Sequence, residues 1–108
     1  MTEHRVSAGD AGSTVRVSAG DLVALELPEN AATGYVWSVD VDGPGTVVAD
    51  ERVLAPAPAP GAGGTRRVVI RLEEAGRSEV VARKRRPWEG SGAEVETVAL
   101  TVEAVEPG

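Results

Sequence analysis

The chain has 108 residues, 42% hydrophobic and 26% charged, and this balance is typical of one globular domain rather than of a disordered segment. Seventeen Asp and Glu outnumber eleven Lys and Arg, and the formal charge of −6 argues against general binding to nucleic-acid phosphates. Cysteine is absent, so a disulfide framework, a thiolate zinc site, an iron–sulfur site and a cysteine nucleophile are excluded. His4 is the single histidine, and we expect no metal site and no cofactor.

The first residues are polar, and no later stretch approaches the length of a membrane span, about 20 apolar residues. We therefore expect no membrane partner. The chain as written carries no leader, which predicts a cytoplasmic protein, or a secreted or periplasmic one if a leader has been removed. We expect residues 1–12 to form a flexible N-terminal segment in which His4 is solvated, and residues 13–108 to form a single β-sandwich domain.

Alternating apolar and polar residues predict a series of short β-strands, because valine supplies most of the apolar positions and is β-branched. Thirteen glycines and seven prolines separate these stretches. Pro28 is expected to end the second strand, and the fourth strand is expected to have an irregular middle. The predicted strands cover residues 14–18, 23–27, 35–41, 47–54, 67–72, 80–85 and 98–102.

About seven strands with frequent turn signals predict an all-β fold, a β-sandwich of antiparallel strands. No segment repeats its apolar residues with the period of a helix, so parallel α/β folds are not expected. Trp37 lies on a middle strand and is predicted to occupy the centre of the core.

Three connections are predicted to share one end of the sandwich. If every strand crosses the sandwich from end to end, successive connections alternate between the two ends. The loops over residues 29–34, 56–65 and 86–94 then lie together, and loops commonly carry binding chemistry.

The three loops also have the least ordinary compositions. The first contains Gly34, which is predicted to need a positive φ, and the second ends in a glycine-rich run that precedes a strand and therefore does not resemble a phosphate-binding loop. In the third, Trp88 follows Pro87 beside arginine, which is the composition of a binding hot spot, although Trp88 folded back as a lid is an alternative. The charge run 83–86 is interpreted as a solvated strand face.

Together, the loops resemble the chagasin-like inhibitors of papain-family cysteine proteases. That family carries the motifs Asn-Pro-Thr-Thr-Gly-Tyr/Phe, Gly-x-Gly-Gly and Arg-Pro-Trp in this order. The corresponding residues here are Asn30, Ala31, Ala32, Thr33, Gly34 and Tyr35, then Gly61, Ala62, Gly63 and Gly64, then Arg86, Pro87 and Trp88. The resemblance covers roughly residues 20–102.

The resemblance implies an immunoglobulin-like sandwich that acts as a reversible, non-covalent inhibitor of papain-family cysteine proteases. We expect the chain to be a monomer. The first loop would enter the catalytic cleft, the glycine-rich loop would line one wall, and the loop with Trp88 would pack on the opposite wall. Ala31 and Ala32 depart from the family's Pro and Thr. Greater backbone freedom, about 0.4–1 kcal/mol, and one lost hydrogen bond, about 0.5–1.5 kcal/mol, would weaken binding without abolishing it. A different target protease and a loss of inhibition are the two alternatives.

The residues leave one alternative function open. A non-inhibitory sandwich module that binds another protein or a glycan would use the same loop end, with Tyr35 and Trp88 as contact residues. Catalysis is not predicted, because the sequence offers no nucleophile–base pair, ligand cluster or cofactor motif.

Overall fold

The computed structural model describes residues 2–29, 34–53, 64–85 and 96–106. They form one short 3-10 turn, Ala8–Asp10, and eight strands: β1 (Glu3–Ser7), β2 (Thr14–Ser18), β3 (Leu22–Glu29), β4 (Val36–Asp42), β5 (Gly45–Val53), β6 (Gly64–Leu72), β7 (Gly76–Arg85) and β8 (Glu96–Val105). Within these ranges there is no helix of the length and apolarity that a bilayer crossing requires.

The strands form two four-stranded sheets, with the orders β1-β3-β6-β5 and β2-β8-β7-β4. This arrangement confirms the predicted all-β, immunoglobulin-like sandwich. Two details differ from the prediction of seven antiparallel strands: the described residues form eight strands, and β1 pairs with β3, and β2 with β8, in parallel. The N-terminal segment runs along the edge of one sheet as β1, turns at Ala8–Asp10, and continues along the edge of the other sheet as β2.

Strand β1 lies within the segment that was predicted to be flexible. Its alternation is weak, because Val6 is its only buried residue, and the sequence therefore gives little sign of a strand. Pairing with β3 and the carboxylate of Asp21 hold it in place: Thr2 N donates to Asp21 Oδ1 at 3.0 Å, and His4 Nε2 lies 2.9 Å from Asp21 Oδ2. The prediction of a solvated His4 is therefore wrong.

The core lies between the inward faces of the two sheets, and the alternation in the sequence identifies most of it. Trp37 is 1% exposed, which confirms that it is a core residue, but it lies at the start of β4, toward one end of the core rather than at its centre. Around it and along the sandwich lie the buried aliphatic residues Val6, Val17, Val23, Leu25, Leu27, Val68, Ile70, Leu72, Val80, Ala82, Val98, Leu100, Val102 and Ala104. The register of β5 against β6 shifts between Val47 and Ala49, as expected from the irregular middle of this strand.

Strand β3 continues through Pro28 to Glu29 and does not end at the proline. The parallel pairing with β1 stops at Glu26, so the last residues of β3 have a partner strand, β6, on one side only. A strand tolerates proline in such an edge position. The extension brings Glu29 onto the inward face, two residues after Leu27.

Candidate functional site

The strand ends that flank the three motif-bearing loops meet at one end of the sandwich, which we call the loop end. Glu29 pairs with Gly64, Val36 pairs with Arg85, and Lys84 pairs with Glu96. Across the sheets, the backbone N–H of Trp37 donates to the Glu29 carboxylate at 2.8 Å. The predicted shared end is therefore confirmed for the described strand ends.

Three of the predicted binding residues lie in the described part of the chain. Gly34 has φ 79°, so the positive φ expected from the sequence is present. Tyr35 is half-buried immediately before β4, and Gly64 is the first residue of β6. The other predicted binding residues lie outside the described ranges: Asn30, Ala31, Ala32, Thr33, Gly61, Ala62, Gly63, Arg86, Pro87 and Trp88.

A buried carboxylate lies at the base of the first loop. The Glu29 side chain is 0% exposed, and its Oε1 accepts a hydrogen bond from Arg52 Nε at 2.7 Å. Its Oε2 accepts from Trp37 N, and Arg66 Nη1 lies 3.7 Å from Oε1. We call Glu29, Arg52, Arg66 and Trp37 the Glu29 cluster.

Trp37 makes a second link between β3 and β4, the two strands that flank the first loop. Its indole Nε1 donates to the Pro28 carbonyl at 2.8 Å, while its own carbonyl accepts from Arg66 Nη2 at 3.3 Å. Lys84 Nζ lies 5.8 Å from the centroid of the indole ring, within the range of a cation–π contact. The interpretation of the charge run 83–86 as a solvated face therefore fails for Lys84, which contacts the core tryptophan.

Glu29, Arg52 and Arg66 were not predicted from the sequence as functional residues. One signal was available: Val23, Leu25 and Leu27 alternate on the core face, and the same period places Glu29 on that face. A charged residue at a core position requires a partner, which would have directed attention to the arginines of neighbouring strands.

A surface groove of about 410 Å³ lies on the outer face of β3, β6 and β5, beside the loop end. It is lined by Glu26, Leu27, Pro28, Val53, Thr65 and Arg67. Arg67 at one side of the groove makes ion pairs with Glu3, Glu26 and Glu51, so its charge is matched within the fold. Among the described residues, no group of three or more His, Asp or Glu side chains is arranged to hold a metal ion.

Comparison with known proteins identifies the family. The profile described as Chagasin family peptidase inhibitor I42 matches residues 16–102, which is most of the chain. The chain belongs to the chagasin family. This membership confirms the resemblance carried by the loop motifs, and with it the predicted function class, inhibition of cysteine proteases rather than catalysis.

Relatives of the chagasin family match nearly the whole chain. Chagasin of Trypanosoma cruzi is 27% identical over 107 residues, covering 94% of this chain and 97% of the relative. The cysteine protease inhibitor EhICP2 of Entamoeba histolytica has the same fold, with a TM-score of 0.88, 20% identity and 97% of both chains covered. PbICP-C, solved in complex with falcipain-2, shares the fold with a TM-score of 0.54 and 19% identity over 95% of this chain and 89% of that one.

Proposed function

We propose that this chain blocks the active-site cleft of a papain-type cysteine protease, reversibly and without a covalent bond, through the three loops of the loop end. The observation that carries the proposal is the meeting of the flanking strand ends at one end of a chagasin-family sandwich. All three loops come from one chain, so a monomer suffices, and the complex of PbICP-C with falcipain-2 supports a protease as the partner.

The register of the strands supports a central position for the first loop, with the second and third loops on its two sides. Glu29, at the start of the first loop, pairs with Gly64 at the end of the second. Val36, just after the first loop, pairs with Arg85 at the start of the third. The bases of the second and third loops therefore lie on either side of the base of the first, as a central plug with two flanking contacts requires.

In the proposed complex the first loop occupies the cleft and the others contact its two sides. The residues assigned to the plug are Asn30, Ala31, Ala32, Thr33, Gly34 and Tyr35; those assigned to one wall are Gly61, Ala62, Gly63 and Gly64; those assigned to the other are Arg86, Pro87 and Trp88. The small residues Ala31, Ala32 and Gly34 suit a narrow groove.

The plug escapes cleavage because a protease cuts only a peptide held in near-attack geometry, with the reacting atoms about 3–3.5 Å apart. A loop tied at both ends to a rigid sandwich fills the cleft without adopting that geometry. Because the sandwich also fixes the ends of the loops, the three loops lose less conformational entropy when they bind together.

The direct test is titration of papain and a cathepsin L-type enzyme with the purified protein. We expect residual activity to fall with inhibitor concentration and to return on dilution, with the inhibitor chain intact by mass spectrometry. A flat rate at micromolar excess over several papain-type enzymes would contradict the proposal and favour a non-inhibitory binding module.

Replacement of the indole tests the assigned contact of the third loop. If Trp88 is an anchor, Trp88→Ala weakens inhibition by at least about 2 kcal/mol, because anchor residues in protein interfaces carry contributions of this size. Val105→Ala is the matched control, since Val105 is also an exposed apolar residue but ends β8 opposite Ser18, away from the loop end. Equal potency of Trp88→Ala and wild type would remove the role assigned to Trp88.

A further inference from the structure

Glu29 is a carboxylate at a core position, and the stability of the core does not by itself explain why a charged side chain lies there. It faces inward, its side chain is 0% exposed, and both its oxygens accept hydrogen bonds within the Glu29 cluster. A buried ion pair must overcome the desolvation of both charges, and an apolar side chain at such a position often serves stability as well or better. We therefore look for its role in the residues to which the carboxylate is bonded.

The partners of Glu29 come from the bases of two different loops. Arg52 is the last residue but one of β5, just before the second loop, and Arg66 is the third residue of β6, just after it. Trp37 lies just after the first loop, on a strand of the opposite sheet. Arg66 closes the cluster, because it contacts the Glu29 carboxylate and also donates to the Trp37 carbonyl.

The third loop is connected to the same cluster through the indole of Trp37. Lys84, whose Nζ lies 5.8 Å from the ring centroid, precedes that loop near the end of β7. One buried carboxylate thus lies at the junction of all three loop bases, with direct bonds to the first two and an indirect link to the third.

We propose that Glu29 is a positioning residue for inhibition: its buried carboxylate holds the bases of the first and second loops in the relative arrangement that the protease cleft accepts. The inference rests on the proposed function. If a loop base is displaced, the loops lose conformational entropy when they bind the protease, and this lowers the affinity. Among variants of one interface, such losses of affinity appear mainly as faster dissociation.

The test compares Glu29→Gln with Asp21→Asn. Both variants convert a buried, hydrogen-bonded carboxylate to an amide, but Asp21 lies at the end of the sandwich away from the loop end. Inhibition constants, dissociation rates and unfolding free energies are measured for both. We expect Glu29→Gln to raise the inhibition constant at least about tenfold, mainly through dissociation, and Asp21→Asn to stay within about twofold of wild type despite lost stability.

Two results would overturn the inference: wild-type inhibition by Glu29→Gln, or equal weakening by the two variants at equal loss of stability. If Glu29→Gln fails to fold, Arg52→Gln takes its place, because the Arg52 side chain is 33% exposed and Glu29 keeps Trp37 N and Arg66 as partners. An unchanged dissociation rate for Arg52→Gln would then count against the inference in the same way.

A second readout needs no protease. Amide hydrogen exchange of residues 29–37 and 53–64 in the free protein is expected to be faster in Glu29→Gln than in wild type or Asp21→Asn. Unchanged exchange overturns the inference. If the wild-type protein inhibits no papain-type enzyme, the proposed function fails, and the exchange result alone decides whether Glu29 orders the loop bases.

Discussion

Single carboxylates organise both ends of this sandwich. At the end opposite the loops, Asp21 accepts hydrogen bonds from the side chain of His4 and from the backbone N–H groups of Ser18 and Thr2. These bonds, that of His4 foremost, lower the pKa of Asp21 from 3.8 to about 2. Asp21 thereby ties β1 to the turn between β2 and β3.

The lowered pKa predicts a defined loss of stability in acid. Because the folded state holds Asp21 ionised more strongly than the unfolded state does, its contribution is complete above about pH 4 and disappears as the pH falls to about 2. The difference in unfolding free energy between wild type and Asp21→Asn should therefore shrink over this range. Denaturant titrations from pH 5 to pH 2 measure it, and a constant difference would contradict the assignment.

At the scale of elements, the turn from β4 to β5 is packed tightly against β7. Gly43 has φ 126°, and a Cβ built on it would lie 2.5 Å from the Arg77 carbonyl oxygen and 2.9 Å from Ser78 Cα. The buried Ser78 hydroxyl accepts a hydrogen bond from Gly45 N at 3.0 Å. This turn carries the chain from one sheet to the other, so its close contact with β7 sets how the two sheets meet there.

Gly43→Ala is expected to lower the free energy of unfolding by about 1–3 kcal/mol, because the new methyl group meets backbone atoms and the backbone conformation is strained for alanine. Gly12→Ala is the matched control: Gly12 also has a positive φ, 83°, but a Cβ there would meet nothing within 4 Å. Chemical denaturation should show the larger loss for Gly43→Ala. Equal losses would mean that the close approach to β7 contributes nothing.

At the scale of the whole molecule, the core and the proposed binding surface are separate parts of one scaffold. Ile70 is fully buried opposite Val23 and Val47, toward the end of β6 that lies away from the loop end. The Glu29 cluster lies at the other end of the same strand pair, beside Gly64. We therefore expect a substitution of Ile70 to change the stability of the sandwich without changing the arrangement of its loops.

Ile70→Ala should cost about 2–5 kcal/mol of stability, since it removes buried methylene groups and leaves a cavity. Below its unfolding transition, the variant should inhibit a papain-type enzyme as well as wild type does. Thermal unfolding and an inhibition assay at a lower temperature provide the two measurements. Inhibition that falls in step with stability would show that the loop end depends on the whole core.

Most of the fold could be predicted from local patterns. The alternation of Val23, Leu25 and Leu27, and of Val68, Ile70 and Leu72, correctly identifies inward faces, because the two-residue period of a strand is a local property. Strand β1 escaped detection because it buries a single valine and is held mainly by backbone pairing and by Asp21. The described part of the proposed binding surface, Gly34, Tyr35 and Gly64, was predicted from motifs rather than from periodicity.

The order of three loop motifs and the alternation of the strands sufficed to determine the family, the all-β class and the shared end of the strands that flank the loops, since each motif and each strand period is a local feature of the chain. Only the tertiary structure decided the parallel edge strands and the burial of Glu29. The arginine that donates to Glu29 lies 23 residues away in sequence, on a strand that is not its sheet neighbour. Burial of a charge depends on such long-range partners, because only their contacts offset the loss of water.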